Sequence, residues 1–172
     1  MPGRTTIVTG SKGGVGASTV ALNLAVQLAL QTKKHVALID VARPFGQISL
    51  MLAFGPRFTI LDALERIDRL DENILTSLST RHKSGVDVLA SPLQAPMNPA
   101  QRRSVTIDSI SRLSQVAGRA YDFATVDIGV VNAADWALVL LHAESILLIS
   151  EPSPLALGMI DRHMAAAARD GV

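Results

Sequence analysis

Short apolar runs alternate with longer amphipathic ones along the chain. Thr5 to Thr9 reads as a buried strand, and a glycine-rich turn follows from Gly10 to Gly16. Ser18 to Gln31 then carries Val20, Leu24 and Leu28 on one helical face, with Leu22, Val26 and Leu30 close beside it. His35 to Asp40 is a second strand, apolar and closed by an acid. Gly46 to Leu52, Ile60 to Ile67 and Asn73 to Leu78 predict three short helices. Val86 to Ala90 is a third strand, ended by Ser91-Pro92, and Pro92 to Pro99 reads as a loop. Pro99 suits the first turn of a helix running to about Gly118. Phe123 to Asp127 is a fourth strand, Ala133 to His142 a helix, Ser145 to Ser150 a fifth strand and Ala156 to Ala168 a final helix. This alternation predicts an α/β fold with right-handed crossovers: a three-layer, doubly wound, mainly parallel sheet. With no repeat or linker in view, residues 1–172 are expected to form one domain. Asp170-Gly171-Val172 reads as a helix stop and the start of another strand, as in a C-terminally shortened version of a larger fold.

Composition narrows the chemistry. The chain has 172 residues, 48% hydrophobic and 18% charged, with a net charge of +1. That describes a folded protein with no global field towards nucleic acid or membrane. Cysteine is absent, which removes disulfides, thiolate metal sites and cysteine nucleophiles. Four scattered histidines have no metal-ligand spacing, and one Trp with one Tyr argues against base stacking. No signal peptide or membrane-spanning run is visible; the longest candidate, Trp136 to Ile149, is interrupted by His142 and Glu144. A cytoplasmic location is the expectation. Arg66/Arg69 and Arg102-Arg103 are short basic clusters, read as solvated helix faces rather than as a nucleic-acid signal.

The turn after the first strand holds the candidate site. Gly10-Ser11-Lys12-Gly13-Gly14-Val15-Gly16-Ala17-Ser18-Thr19 sits where ligands bind in a doubly wound sheet, beyond a strand's carboxyl end. Glycines let successive N–H groups turn inward, and a helix N-terminus adds positive potential, so the turn predicts an anion cradle. Two readings compete. As a P-loop, Gly10 and Gly16 fit and Ser18 stands where a hydroxyl binds Mg²⁺, but Ala17 replaces the usual lysine. Thr9-Gly10-x-x-x-Gly14-x-Gly16 also fits the nicotinamide-binding turn of short-chain dehydrogenases, with Val131-Asn132-Ala133 as a faint second match. That chemistry needs Tyr-x-x-x-Lys, and Tyr121 is followed four positions on by Thr125.

Lys12-Gly13-Gly14-Val15-Gly16 resembles the deviant Walker A loop of the ParA/MinD family of P-loop ATPases. Leu38-Ile39-Asp40-Val41-Ala42-Arg43-Pro44-Phe45-Gly46 is similar to the D-x-D-x-x-F-G strand end of the CpaE/TadZ branch, which serves Flp/tight-adherence pilus assembly. Leu61-Asp62-Ala63-Leu64, Gly85 to Pro92, Tyr121 to Asp127 and Leu148 to Pro152 follow that branch's order and spacing. The resemblance covers the chain as about the first two thirds of a typical family domain. It implies that Gly10 and Lys12 to Thr19 bind ATP or ADP, with Lys12 reaching a dimer partner's phosphates. It implies Mg²⁺ at Ser18, Asp40 and Asp127, the last being the Walker B acid. It also implies a homodimer through the P-loop face and partners in a pilus or secretion machine, at a cell pole or inner membrane.

Two departures from the family pattern decide the expected activity. Ala17 lacks the lysine that neutralises phosphate charge, and Ala42 replaces the second acid, which positions water. Phosphoryl transfer rests on such positioning and charge stabilisation. The expectation is a pseudo-ATPase: weak nucleotide binding, little or no hydrolysis, and a localising role. The alternatives are a slow ATP-dependent dimerisation switch using Lys12 in trans, as in partition or positioning ATPases, and an NAD(P)-binding short-chain-dehydrogenase-like protein.

Overall fold

A computed structural model describes residues 3–42, 46–92, 98–100, 105–131 and 144–169. Six strands form one sheet: β1 (Arg4–Gly10), β2 (Val36–Asp40), β3 (Thr80–Arg81), β4 (Val86–Leu89), β5 (Phe123–Asp127) and β6 (Ser145–Ile149). Their order is β3-β4-β2-β5-β1-β6, parallel except for the β3–β4 pair. The described helices are α1 (Ala17–Thr32), α2 (Ile48–Met51), α3 (Ile60–Leu64), α4 (Glu72–Leu78), α5 (Ile107–Ala120) and α6 (Pro154–Arg169), with a 3₁₀ turn over Ile67–Arg69.

Strand side chains alternate between faces, so neighbouring residues feed different cores. Ile7, Ile39, Leu89 and Val126 join the core under α3, α4 and α5, while Val8, Leu38 and Val88 pack against Ala21, Ala25 and Ala29 of α1. This two-sided burial explains why β2 reads as an unbroken apolar run. Edge strand β6 alternates only between exposed and half-buried.

The expected strands are present, and the α/β doubly wound class holds. β3 was not expected; it is two residues long, too short for periodicity to mark. The long helix predicted from Pro99 to about Gly118 is corrected. Thr106 is extended (φ −102°, ψ 166°) and caps α5 afresh, with Ser109 N donating to Thr106 Oγ1 at 3.1 Å. The predicted helix Ile60 to Ile67 ends at Leu64 and continues as the 3₁₀ turn. Arg43 to Phe45, Arg102-Arg103, the Ala133 to His142 helix and Asp170-Gly171-Val172 lie outside the described residues.

Candidate functional site

Counting only parallel strands in chain order, the sheet runs third-second-fourth-first-fifth. β5 therefore lies between β1 and β2, and Asp127 is in register with both Val8 and Asp40. A dinucleotide-binding sheet of the Rossmann type places its first and second strands side by side. The short-chain-dehydrogenase reading is corrected on that ground. Its weakness in the sequence was that turn spacing carries no information about strand order.

The exit from β1 is clamped on both sides. Gly10 N and Thr9 Oγ1 donate to Gly129 O at 2.9 and 2.8 Å, and Ser11 N donates to Ile149 O at 2.8 Å. The chain then rises into an open turn. Gly14 and Gly16 take φ of +83° and +90°, which L side chains rarely adopt, and a Cβ at Gly13, Gly14 or Gly16 would meet only open space. Gly13 and Gly14 form the tip of a tight turn, and the amides of residues 12–16 form no close hydrogen bond to a carbonyl of another described element. Gly16 is the N-cap of α1 and supplies no side-chain cap, so the first-turn donors stay open. These are the features of an anion-binding concavity.

A cavity of about 280 Å³ lies over this turn, lined by Lys12 to Thr19 together with Ala42, Gln47, Gly129 and Val130. That is just under the usual ~300–1,000 Å³ of small-molecule sites and ample for a phosphate group. The structure brings every predicted loop residue from Lys12 to Thr19 to one wall, while Gly10 anchors the turn from beneath. Ala17 and Ala42 face the same space. Gln47, Gly129 and Val130 were not anticipated. Gln47 is brought in by Gly46, where a Cβ would collide with Asp40 Oδ2 and Ser91.

Lys12 is held by its own chain. Its Nζ lies 2.9 Å from Glu151 Oε1, which also accepts from Ser153 Oγ at 2.9 Å. The Lys12 ammonium, followed by the Ser153 hydroxyl, holds the Glu151 carboxyl below its ordinary range.

The two strand-end acids differ. Asp40 is fully buried, and both its oxygens are used, accepting from Ala42 N at 3.1 Å and Ile48 N at 3.3 Å. Burial, then the neighbouring Asp127 carboxylate, pushes its pKa up to about 7 against the bonds from those amides. Asp127 is equally buried; its Oδ1 accepts from Gly129 N at 3.0 Å, while Oδ2 has no partner among the described residues. Burial raises its pKa too, opposed by the Ser18 hydroxyl and the Gly129 amide. An orphaned carboxylate oxygen beside a serine hydroxyl, under a phosphate cradle, fits a hydrated Mg²⁺. Asp40 fits that ion less directly, because its oxygens already hold the turn after β2. Among the described residues there is no cluster of three His, Cys, Asp or Glu able to hold a metal without a further ligand, and no helix long and apolar enough to cross a membrane.

The ParA family, described as NUBPL iron-transfer P-loop NTPase, matches residues 3–54. The chain is 27% identical to the septum site-determining protein MinD of Helicobacter pylori (strain ATCC 700392 / 26695) over 157 residues, 90% of this chain and 55% of that protein. It therefore spans about half the length of this curated relative. A ParA family ATPase from Chlorobium tepidum TLS superposes with a TM-score of 0.80 at 24% identity, covering 95% of this chain and 66% of that one. MinD from Pyrococcus horikoshii OT3, solved as a complex with Mg-ADP, superposes at 0.74 with 20% identity over 100% of this chain and 67% of its own.

Proposed function

We propose that this chain, whose fold is that of the ParA and MinD P-loop NTPases and whose sequence is similar to theirs, is a nucleotide-binding module that grips ATP or ADP but scarcely hydrolyses it. The observation that carries the reading is the composition of one cavity wall. Open amides, the α1 N-terminus and Ser18 face a space in which Ala17 and Ala42 supply no charge.

The loop amides and helix dipole bind the terminal phosphates. Ser18 and Asp127 would hold Mg²⁺ with Asp40 behind them, and the ion would supply neutralisation of phosphate charge. Gly10 fixes the turn, Val15 and Gly16 shape it, and Thr19 lies on its rim. What is lacking is a lysine at position 17 and a carboxylate at position 42 to orient water. Losing one such group typically lowers a rate by about 10²–10³-fold, and here two are missing. Among the described residues lining the cavity Lys12 is the one cation, and its pairing with Glu151 must break before it reaches a second protomer.

On this reading the chain is a pseudo-ATPase in the manner of the CpaE/TadZ branch, dimerising through the loop face to localise a pilus or secretion assembly. The retained Lys12 favours one second reading, a slow ATP-driven dimerisation switch. Titrating ATP, ADP and NADPH with Mg²⁺, while following dimer mass and phosphate release, separates the two. Nucleotide-dependent association without phosphate release is expected. Steady ATP turnover abolished by Lys12→Ala would replace the first reading with the second.

A further inference from the structure

Away from the nucleotide cavity, and sharing no residue with it, a groove of about 510 Å³ runs between α3, the 3₁₀ turn and α4. Its floor is apolar and recessed: Phe58 and Ile74 are half-buried and Leu78 is buried. Its rim carries Arg66 and Arg69, with Ser77 opposite. Arg57 stands beside it with its guanidinium 5.2 Å from the Phe58 ring centroid.

Among the described residues the groove's lining carries two arginines and no acid. Asp62 accepts from Thr59 N at 2.8 Å and Thr59 Oγ1 at 3.1 Å in the capping box of α3. Asp71 caps α4 by accepting from Ile74 N at 2.8 Å. Glu72 is taken by Arg119. Glu65 and Asp68 pair with neither arginine, and Asp68 lines a separate cavity with Asp108 and Arg112. Arg57, Arg66 and Arg69 form no ion pair with the described residues; the one side-chain hydrogen bond recorded for them runs from Arg66 Nη1 to Asp62 O at 2.7 Å. Asp62 is half-buried in the α3 cap and Glu65, Asp68 and Asp71 are exposed outside the lining, so among the described residues Arg66 and Arg69 carry the charge on the groove itself, around an apolar floor.

We propose that this groove docks an acidic, amphipathic peptide segment of a partner protein, with a bulky aliphatic or aromatic anchor on Phe58, Ile74 and Leu78 and carboxylates against Arg66 and Arg69. An arginine fork matches a carboxylate in two parallel hydrogen bonds, which gives such a rim its selectivity. Nucleic acid fits less well: three cations are few for a phosphate backbone, and one face of the Phe58 ring is already covered by Arg57. A lipid surface needs apolar side chains that protrude, whereas these are sunk.

The test pans a random-peptide phage library against the full chain, with counter-selection on Arg69→Glu. Position 69 is exposed, and circular dichroism checks that the variant folds. Enriched sequences are expected to combine Asp or Glu with a large apolar residue. A synthetic consensus peptide should shift the amide resonances of residues 58–78 and bind more weakly in high salt. Reversing Arg69, or plugging the groove with Ser77→Trp, should each weaken it by about 10-fold, the scale of one lost close charge pair or anchor contact. Neutral or basic consensus sequences, enrichment indifferent to Arg69, or shifts elsewhere on the chain would overturn the proposal. So would tighter binding at this segment by duplex DNA or phosphatidylglycerol vesicles than by the peptide.

Discussion

The cavity over the glycine turn has two kinds of surface, the backbone of the loop and the side chains of Ala17 and Ala42, and they offer a phosphate different things. The first presents loop amides, a helix N-terminus without a side-chain cap and a serine hydroxyl. The second presents two methyl groups that are nearly buried, Ala17 at 8% and Ala42 at 6% exposure. Binding an anion needs only the first wall. Breaking a phosphoanhydride bond needs charge and a positioned water from the second. On the proposed reading, gripping and cutting are separable within one cavity.

The largest way to break the contrast is through the glycine wall. Gly16→Val forces a β-branched residue to φ +90°, so nucleotide affinity should fall by roughly 100-fold or more as the amides turn away, with about 1–2 kcal/mol of stability lost. Calorimetric titration and a urea melt check both. Next, Ala17→Lys adds charge to the second wall while position 42 still lacks its acid. ATP affinity should rise by about 10-fold with little change in phosphate release. Robust hydrolysis in that single variant would remove the role assigned to position 42.

The acid pair gives a smaller, pH-dependent effect. The pKa of Asp40 rises from an ordinary value near 3.8 to about 7 on folding. Between those values the native state holds a proton that the unfolded state has released. Stability therefore falls as pH rises through that window, and the deficit persists above it. Asp127→Asn keeps the acceptor for Gly129 N and removes the neighbouring carboxylate. It should raise stability at pH 8 by about 1 kcal/mol relative to pH 5, the worth of roughly one pKa unit, while weakening Mg²⁺-dependent nucleotide binding. Urea melts at the two pH values measure it. Smallest is Glu151→Gln, which frees Lys12: ATP-dependent dimerisation, followed by light scattering, should tighten by about 2–5-fold.

The turn and the strand-end acids were legible in the residues themselves. Four glycines between a strand and a helix, and acids closing apolar strands, are local signals that need no knowledge of topology. The rest depended on distant pairings. That β5 lies between β1 and β2, so that Asp127 faces Asp40, is a fact of strand order that period-2 alternation does not encode. The same order separates this loop from the dehydrogenase turn it matches in spacing. Asp40 read as a ligand equal to Asp127, yet its oxygens are spent on Ala42 and Ile48 amides, a commitment visible only once the turn after β2 is folded. The Lys12–Glu151 pair joins the loop to the residues that follow β6, adjacent to β1 in the sheet but distant in sequence, and no local pattern announced it. Thr106 marked a helix start in hindsight, but a proline at 99 gave the stronger textual cue.

The most direct test measures bound ATP and released phosphate on one sample, for the native sequence and for the Ala17→Lys/Ala42→Asp double variant. The account predicts that the native chain retains bound ATP with phosphate release indistinguishable from a protein-free control, while the double variant turns over at least about 100-fold faster. Equal turnover in the two proteins, or native turnover that the restored groups fail to increase, would contradict it.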